Sequence, residues 1–487
     1  MPAAPGTPGA QKAPGAPGTA VLPRPAAPPA AGPGGVPARR PRAGAVAVVG
    51  GVRGRLAQAT RTAPGRLRLA GVVLAVLTVA FGALTAWQLT ARAQAADRVV
   101  SYGQPLSRDA AEIHRRLADA ATTATTGFLL AGNEPQKVRT DYTDDLKTAA
   151  QLITEASART TSPAARTQLG KLNQQLPVYA GLVDTARAND RLGIPLGGAY
   201  LRYASEQMQN GLLPAAVELT RIENEALAKD YADAKSTPWA AYGLAAVTLA
   251  ALVWVQVTLF RRTNRVFNPG LLGATAAVLA GGLWLAVTGL TTSAALVRAD
   301  KEGGAPLRAL NTARVDVLKA RLAENLHYVA RGSTAKYVKQ WDDTTTSLVG
   351  KDDTGAPMER RTGSLPTALT AAPSAARPSL LQAARQYDVW HGQHDAARAK
   401  EVKDSDYQGA LDATVSADGG APTSDATFHA VDQALAQAAG IEQDTFLKAA
   451  RGTHNDLRNT AVGAALLGLA AAAAALGGLG RRLAEYR

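Results

Sequence analysis

The stretch RRTNRVFNPG at residues 261–270 decides how this chain is organised. Apolar runs without charged residues precede it and follow it. Three arginines and an Asn-Pro-Gly turn are typical of a short cytoplasmic loop between two membrane helices. The stretch therefore predicts a membrane protein whose two halves have the same layout on either side of this loop.

Four apolar segments are predicted to span the membrane. The first is free of charge from Leu69 to Leu89, and about 20 helical residues cross the ~30 Å hydrocarbon core. The predicted spans are residues 67–91, 238–260, 271–297 and 458–480. The last is nearly pure Ala, Leu and Gly, so we expect it to pack against the other spans through small residues. The apolar runs of these spans carry no charge, and this disfavours a pump or an ion-coupled transporter.

The motif Ala91-Arg92-Ala93 resembles a signal-peptidase site. The apolar run before it is longer than the core of a usual signal peptide, and the leader is much longer. We therefore favour an uncleaved anchor over a cleaved signal peptide.

Positive charge is concentrated in the segments predicted to be cytoplasmic. Residues 1–68 contain no Asp or Glu, and the segments 1–68, 261–270 and 481–487 carry essentially all of the formal net charge of +14. The positive-inside rule explains this excess better than nucleic-acid binding does. The N and C termini are thus predicted to be cytoplasmic, in a multi-pass protein of the plasma membrane.

The remaining domains follow from this topology. Residues 1–66 are rich in Pro, Ala and Gly and are predicted to be a disordered cytoplasmic leader, either a docking tail or a basic topology signal. The other predicted non-membrane segments are the extracytoplasmic bundles 92–237 and 298–457, the loop 261–270 and the tail 481–487.

The first extracytoplasmic segment is predicted to be a four-helix bundle. Helices are expected over 109–130, 134–160 and 164–190, and a fourth from about residue 200, with a kink at 211–214 and a continuation into the membrane. The fold class is therefore all-α.

The second half repeats parts of the first. Residues 128–132 match 328–332, and residues 179–188 match 390–399 at Gly, Asp, Ala, Arg and Ala. We interpret this as duplication of a span–bundle–span unit, with an insertion at 350–377; shared helix composition is the alternative. The repeat places one set of turns far from the membrane and predicts partner contacts there and on the cytoplasmic loop, at Gly132, Asn133, Gly197, Gly198, Gly332, Ser333, Arg261, Arg262 and Arg265.

Helix three of each half carries a signature that we interpret as structural, with a ligand site as the alternative. It consists of Tyr179, Asp184 and Arg187 in the first half and of Trp390, Asp395 and Arg398 in the second. The Asp and Arg residues are spaced i, i+3 and can form a helix-surface ion pair that is worth only a few tenths of a kcal/mol.

Recognisable catalytic chemistry is missing from the sequence. It has no cysteine, no phosphate-binding Gly-rich loop and no Gly-x-Ser-x-Gly motif. His391 and His394 could share a metal ion, but a solvated or interface pair is favoured. We predict a protein that is not an enzyme and needs no cofactor.

The hairpin at residues 127–135, GFLLAGNEP, resembles the first hairpin of the four-helix-bundle sensor domains of chemoreceptors and histidine kinases. The whole layout, together with the stretch Gly193–Ala216, resembles the actinobacterial GlnX family. The resemblance covers about residues 66–487.

This resemblance implies a signal relay. An extracytoplasmic amino-acid-binding lipoprotein, specific for glutamate, glutamine or aspartate, would be coupled to a cytoplasmic Ser/Thr kinase. The lack of a cytoplasmic output domain fits that expectation. A homodimer is possible. The alternatives are a scaffold of the cell envelope and a receptor whose bundles bind a small ligand directly.

Overall fold

The computed structural model describes residues 63–130, 134–263, 268–299, 304–351, 356–415 and 422–484. Every secondary-structure element within these ranges is helical, so the all-α prediction is confirmed. Residues 1–62 of the predicted leader lie outside the described residues. The predicted contact residues Gly132, Asn133 and Arg265 also lie outside them.

The first half contains seven helices in its described ranges: α1 (Ala63–Arg98), α2 (Gln104–Leu129), α3 (Gln136–Arg159), α4 (Pro163–Arg191), α5 (Leu196–Gln207), α6 (Leu213–Lys235) and α7 (Trp239–Thr263). π-Helical turns at Val99–Gly103 and Met208–Leu212 join α1 to α2 and α5 to α6. Helices α2 to α6 pack together as the first bundle.

The second half continues with α8 (Pro269–Ala299), α9 (Ala305–Ala330), α10 (Ala335–Val349), α11 (Ser364–Ala371), α12 (Arg377–Lys403), α13 (Tyr407–Thr414) and α14 (Ser424–Ala484). Helices α9 to α13 pack with the first part of α14 as the second bundle. The predicted insertion at 350–377 contains α11 and a short 3₁₀ helix, Met358–Arg360.

Local sequence signals set several helix ends. Helix α4 begins at Pro163, where a missing N–H costs nothing, and the Ser162 hydroxyl accepts a hydrogen bond from the Ala165 amide at 3.3 Å. The prediction that the last helix of the first bundle runs unbroken into the membrane is corrected. Residues 236–238 separate α6 from α7. Thr237 precedes Pro238, and a residue before proline disfavours the helical conformation.

Three helical stretches in the described part of the chain are long and apolar enough to cross a membrane. They are contained in Gly65–Leu129, Leu196–Arg261 and Pro269–Thr291. The fourth predicted span contains a shorter apolar helix, Ala465–Arg481. These helices support a membrane protein; the fourth crossing and the duplication remain predictions.

The apolar part of α14 packs closely on α1 and α8, as its small residues predicted. A Cβ atom added to Gly270 would lie 2.4 Å from the Cα atom of Gly478, and one added to Gly468 would lie 2.7 Å from the Cα atom of Gly82. Asn268 completes this contact by donating from Nδ2 to the Gly478 carbonyl at 2.7 Å. Glycine is required here because the helix backbones touch.

Candidate functional site at the contact between the bundles

The two bundles are joined through their first helices, α2 and α9. Buried apolar residues of both bundles form one continuous core. The Thr122 hydroxyl donates to the Leu318 carbonyl at 3.1 Å across this contact. The bundles are therefore packed against each other along their length, an arrangement that the helical periodicity of either half alone did not predict.

Asn325 of α9 lies at the centre of the contact and is fully buried. Its Nδ2 atom donates to the hydroxyl groups of Thr126 at 2.8 Å and Thr125 at 3.1 Å, both on α2. A shift of one helix along the other would remove these acceptors and leave a buried amide unpaired, which costs roughly 1–3 kcal/mol. A single buried polar residue of this kind fixes the register of two packed helices.

A charge network borders the same contact. Arg115 of α2 binds Glu112 at 2.8 Å and Asp119 at 3.0 Å, while Arg116 binds Asp145 of α3 at 2.7 Å. From the second bundle, Asp432 of α14 interacts electrostatically with Arg115 and Asp119. The network therefore contains charges from both bundles.

Asp145 is the carboxylate of this network with the most perturbed protonation. Burial, followed by the charge of Asp119, raises the pKa of Asp145 to about 7 in spite of the bond to Arg116. Its side chain is 5% exposed. Asp145 therefore gains or loses its proton near neutral pH.

A second buried polar cluster holds the second bundle together around Glu324 of α9. Glu324 accepts hydrogen bonds from Arg321 at 2.6 Å, Trp390 Nε1 at 3.1 Å, His394 at 3.1 Å and Ser424 at 2.7 Å. Burial raises the pKa of Glu324, but the charge of Arg321 and these donors lower it to about 2. The cluster ties α9 to α12 and α14 and keeps Glu324 ionised.

The predicted signature residues lie in these structures, with partners other than those that the i, i+3 spacing permits. Tyr179 and Trp390 are buried in the cores of their bundles. The i, i+3 ion pairs that the spacing permits are not formed. Arg187 binds Glu134 at 2.7 Å instead of Asp184, and Arg398 donates to His327 Nδ1 at 3.3 Å instead of binding Asp395.

The reason for this difference is solvent exposure. Asp184 and Asp395 are exposed, and an exposed pair gains little. Glu134 and Arg187 are both mostly shielded from water, and the Arg187 guanidinium also covers the ring of Tyr142 at 4.2 Å. The two histidines considered as a metal pair, and favoured as a solvated or interface pair, have separate partners. His394 stacks on Trp341 at 3.7 Å and binds Glu324, while His391 lies 3.4 Å from Asp395.

The predicted contact residues that the structure describes differ in their exposure to solvent. Gly332 and Ser333 are exposed in a turn in which Gly332 has φ +115°, and Arg261 is exposed at the end of α7, which also contains Arg262. Gly197 is buried in α5. A Cβ atom on it would lie 2.9 Å from the Ala186 carbonyl, so this glycine serves helix packing instead of partner contact. Gly198, beside it, is partly buried.

Arg92 is a residue whose burial the sequence did not reveal. It lies in α1, is 4% exposed, and its Nε and Nη1 atoms have no hydrogen-bond partner in the described residues. A Cβ atom on Gly289 of α8 would come within 4.0 Å of its Nη1 atom. Residues 91–93, which resemble a signal-peptidase site, therefore lie inside a helix, with Arg92 and Ala93 buried and Ala91 exposed.

Comparison with known proteins gives one match. Residues 95–232 match the model of a family described as an actinobacterial sensor domain. No curated protein and no solved structure matches the chain. The matched range ends within α6, so it covers nearly all of the first bundle and the end of α1. This match and the apolar helices support an actinobacterial sensor protein of the membrane.

Proposed function

We propose that the protein is a non-enzymatic transmembrane relay in which the contact between the two bundles is the moving element. The observation that carries this proposal is the path of α2. It forms the contact through Thr122, Thr125 and Thr126, and it continues through the π-helical turn Val99–Gly103 into the apolar helix α1.

This path supplies a mechanical connection. Helix shifts of about 1–2 Å are a common means of transmission in proteins. A shift of α2 along α9 would strain the bonds of Asn325 and move α1 along its own axis. Helix α14 supplies a second path, since it runs without a break from the second bundle into the apolar segment Ala465–Arg481.

The partners are proposed from the resemblance to the GlnX family, and the sensor-domain match supports a role in sensing. We propose that an extracytoplasmic solute-binding lipoprotein for glutamate, glutamine or aspartate docks on the exposed turn with Gly332 and Ser333. A cytoplasmic Ser/Thr kinase would bind near Arg261, Arg262 and Arg265. Four crossings of the plasma membrane, with both termini in the cytoplasm, place these surfaces on opposite sides.

Affinity purification of the full chain from solubilised membranes tests this proposal. Both a solute-binding lipoprotein and a Ser/Thr kinase should co-purify. Replacement of the turn in a G332A/S333A variant should reduce recovery of the lipoprotein, whereas an R261Q/R262Q/R265Q variant should reduce recovery of the kinase. Recovery of neither protein would contradict the relay, and recovery of cell-envelope assembly proteins would favour a scaffold.

A further inference from the structure

A cleft lies between the two bundles beside the α2–α9 contact. It contains a cavity of about 300 Å³ lined by residues of α2, α6 and α9, and a second cavity of about 380 Å³ lined by residues of the Met208–Leu212 turn, α6, α9 and α10. Val217 and Lys319 line both cavities. The two cavities are therefore adjacent parts of one cleft, with Lys319 between them.

The first cavity is basic. Its lining contains the cationic side chains Arg108, Arg308 and Lys319 and one carboxyl group, Asp316. Asp316 accepts hydrogen bonds from Ser364 at 2.8 Å and Ser347 at 3.3 Å, and burial raises its pKa. The excess of positive charge in a partly enclosed space favours an anionic occupant.

His114 provides the second and independent observation. Its side chain is only 9% exposed, and its Nε2 atom has no hydrogen-bond partner within the described part of the chain. Burial, and then the charge of Lys319, lowers the pKa of His114 to about 3, so the ring is neutral at physiological pH. An unpaired buried polar atom costs roughly 1–3 kcal/mol, which a bound ligand would recover.

The size and the remaining lining limit the ligand further. A cavity of about 300 Å³ lies at the lower end of the roughly 300–1,000 Å³ found for small-molecule pockets, so the ligand should be small. Hydroxyl and amide groups surround the cations and would bind neutral polar parts of a ligand. These groups belong to Gln104, Ser107, Thr220, Asn224, Asn311 and Thr312.

We propose that this cavity binds a small organic anion with one or two negative charges, held by Lys319, Arg108 and Arg308, with His114 Nε2 as a further hydrogen-bonding partner. Because α2 and α6 belong to one bundle and α9 to the other, an occupant would bridge the bundles. The proposal deepens the proposed relay by giving it a direct ligand, but binding itself requires neither the lipoprotein nor the kinase.

Thermal unfolding of the full chain in phosphatidylcholine nanodiscs tests binding. The probes are succinate and inorganic phosphate, with neutral succinamide and NaCl of matched ionic strength as controls. We expect a saturable rise of Tm with at least one of the two anions and none with succinamide. Absence of a saturable rise with both anions would overturn the proposal.

Variants locate the site. K319M should weaken the apparent affinity for the anion at least tenfold, whereas K339M should leave it unchanged, because Lys339 is exposed on α10 and binds Asp343. R308Q is a second test should K319M fail to fold. Equal affinity in wild type, K319M and R308Q would overturn the proposal. Stabilisation seen only in nanodiscs that contain phosphatidylglycerol would overturn it in favour of a lipid headgroup.

Discussion

Asn325 sets the register of the two bundles because its buried amide has three acceptors on α2 in a single arrangement. Two of them are the hydroxyl groups of Thr125 and Thr126, and the third is the Thr122 carbonyl at 3.4 Å. The pKa values of two buried carboxyl groups, Asp145 and Glu324, are shifted in opposite directions. Burial raises the pKa of Asp145, while Arg321 and other donors hold Glu324 ionised. Asp145, on α3 of the first bundle, is therefore a carboxylate whose charge changes near neutral pH, whereas Glu324 stays ionised.

Replacing Asn325 by alanine should destabilise the folded protein by about 1–3 kcal/mol. The substitution removes the donor that joins the bundles and leaves buried threonine hydroxyl groups without it. Thermal unfolding of the full chain in nanodiscs measures the effect. Asn173→Ala on the exposed face of α4 is the matched control and should change stability by less than about 0.5 kcal/mol. Equal stability of the two variants would contradict the role assigned to Asn325.

Asp145 should make the protein more stable at pH 5.5 than at pH 8. Its pKa is about 7 in the folded state and 3.8 as its ordinary value, so the folded protein binds the extra proton between these limits. Stability therefore falls as pH rises through this window. A full proton difference over 1.5 pH units is worth about 2 kcal/mol.

Thermal unfolding of wild type and D145N across this window measures that contribution. The slope should become flatter in D145N because the amide does not titrate. D141N, on an exposed position of the same helix that pairs with Lys137, should keep the wild-type slope. A D145N slope equal to that of wild type would show that Asp145 does not supply the pH dependence.

At the scale of elements, contact between helix backbones holds α14 against α8. Gly270 and Gly478 leave no room for a side chain, whereas a Cβ atom on Gly477 would meet nothing within 4 Å. These neighbouring glycines are therefore a matched pair for testing how α14 packs.

Gly478→Ala should destabilise the protein by about 1–3 kcal/mol, since the added methyl group would collide with Gly270 and with the Asn268 side chain. Gly477→Ala should be neutral or slightly stabilising, because alanine favours the helix. Thermal unfolding in nanodiscs compares the two. A larger loss for Gly477→Ala than for Gly478→Ala would contradict the packing.

The individual helices were largely predictable from the sequence, because their signals are local. Helix α4 was predicted at 164–190 and extends over Pro163–Arg191, since a proline and a serine cap mark its start. The contact between α2 and α9 was not predicted. The run of small residues at 118–126 permits close approach of a second helix, but it does not say which helix approaches.

The polar clusters were less predictable still. Glu324 draws partners from positions about 70 and 100 residues away in the chain, so spacing along one helix could not reveal them. The signature residues were found as a pattern, and the buried positions of Tyr179 and Trp390 agree with a structural role. The partners of Arg187 and Arg398 depend on which helices pack together, and spacing along one helix does not show this.

In the whole molecule, each bundle is connected to an apolar helical segment. Helix α2 joins α1, and α14 extends from the second bundle to Ala484. A membrane relay needs such connections, and it needs its two ends on opposite sides of the membrane. The chain has no cysteine, so each introduced thiol is unique and reports one position.

Topology can be measured with the variants S333C and T60C in intact cells. A membrane-impermeant maleimide should label Ser333→Cys, which lies in the exposed turn after α9, and should label Thr60→Cys only after the membrane is opened. Adding R261Q/R262Q/R265Q should lower external labelling at position 333 because the positive-inside signal is lost. External labelling of Thr60→Cys would contradict a cytoplasmic N terminus.

Locking the α2–α9 contact with a covalent bond tests whether this contact transmits the signal. The T126C/N325C variant places two thiols on facing positions of α2 and α9, where Thr126 Oγ1 and Asn325 Nδ2 lie 2.8 Å apart. Thiol titration after oxidation establishes that the disulfide has formed, and each single variant is a control. The measurement is the amount of Ser/Thr kinase that co-purifies with the protein from cells given or denied glutamate. If the contact transmits the signal, the reduced variant should show a glutamate-dependent difference and the disulfide-linked variant should show none. The same glutamate-dependent difference in both states, or no kinase in either, would contradict this role of the contact.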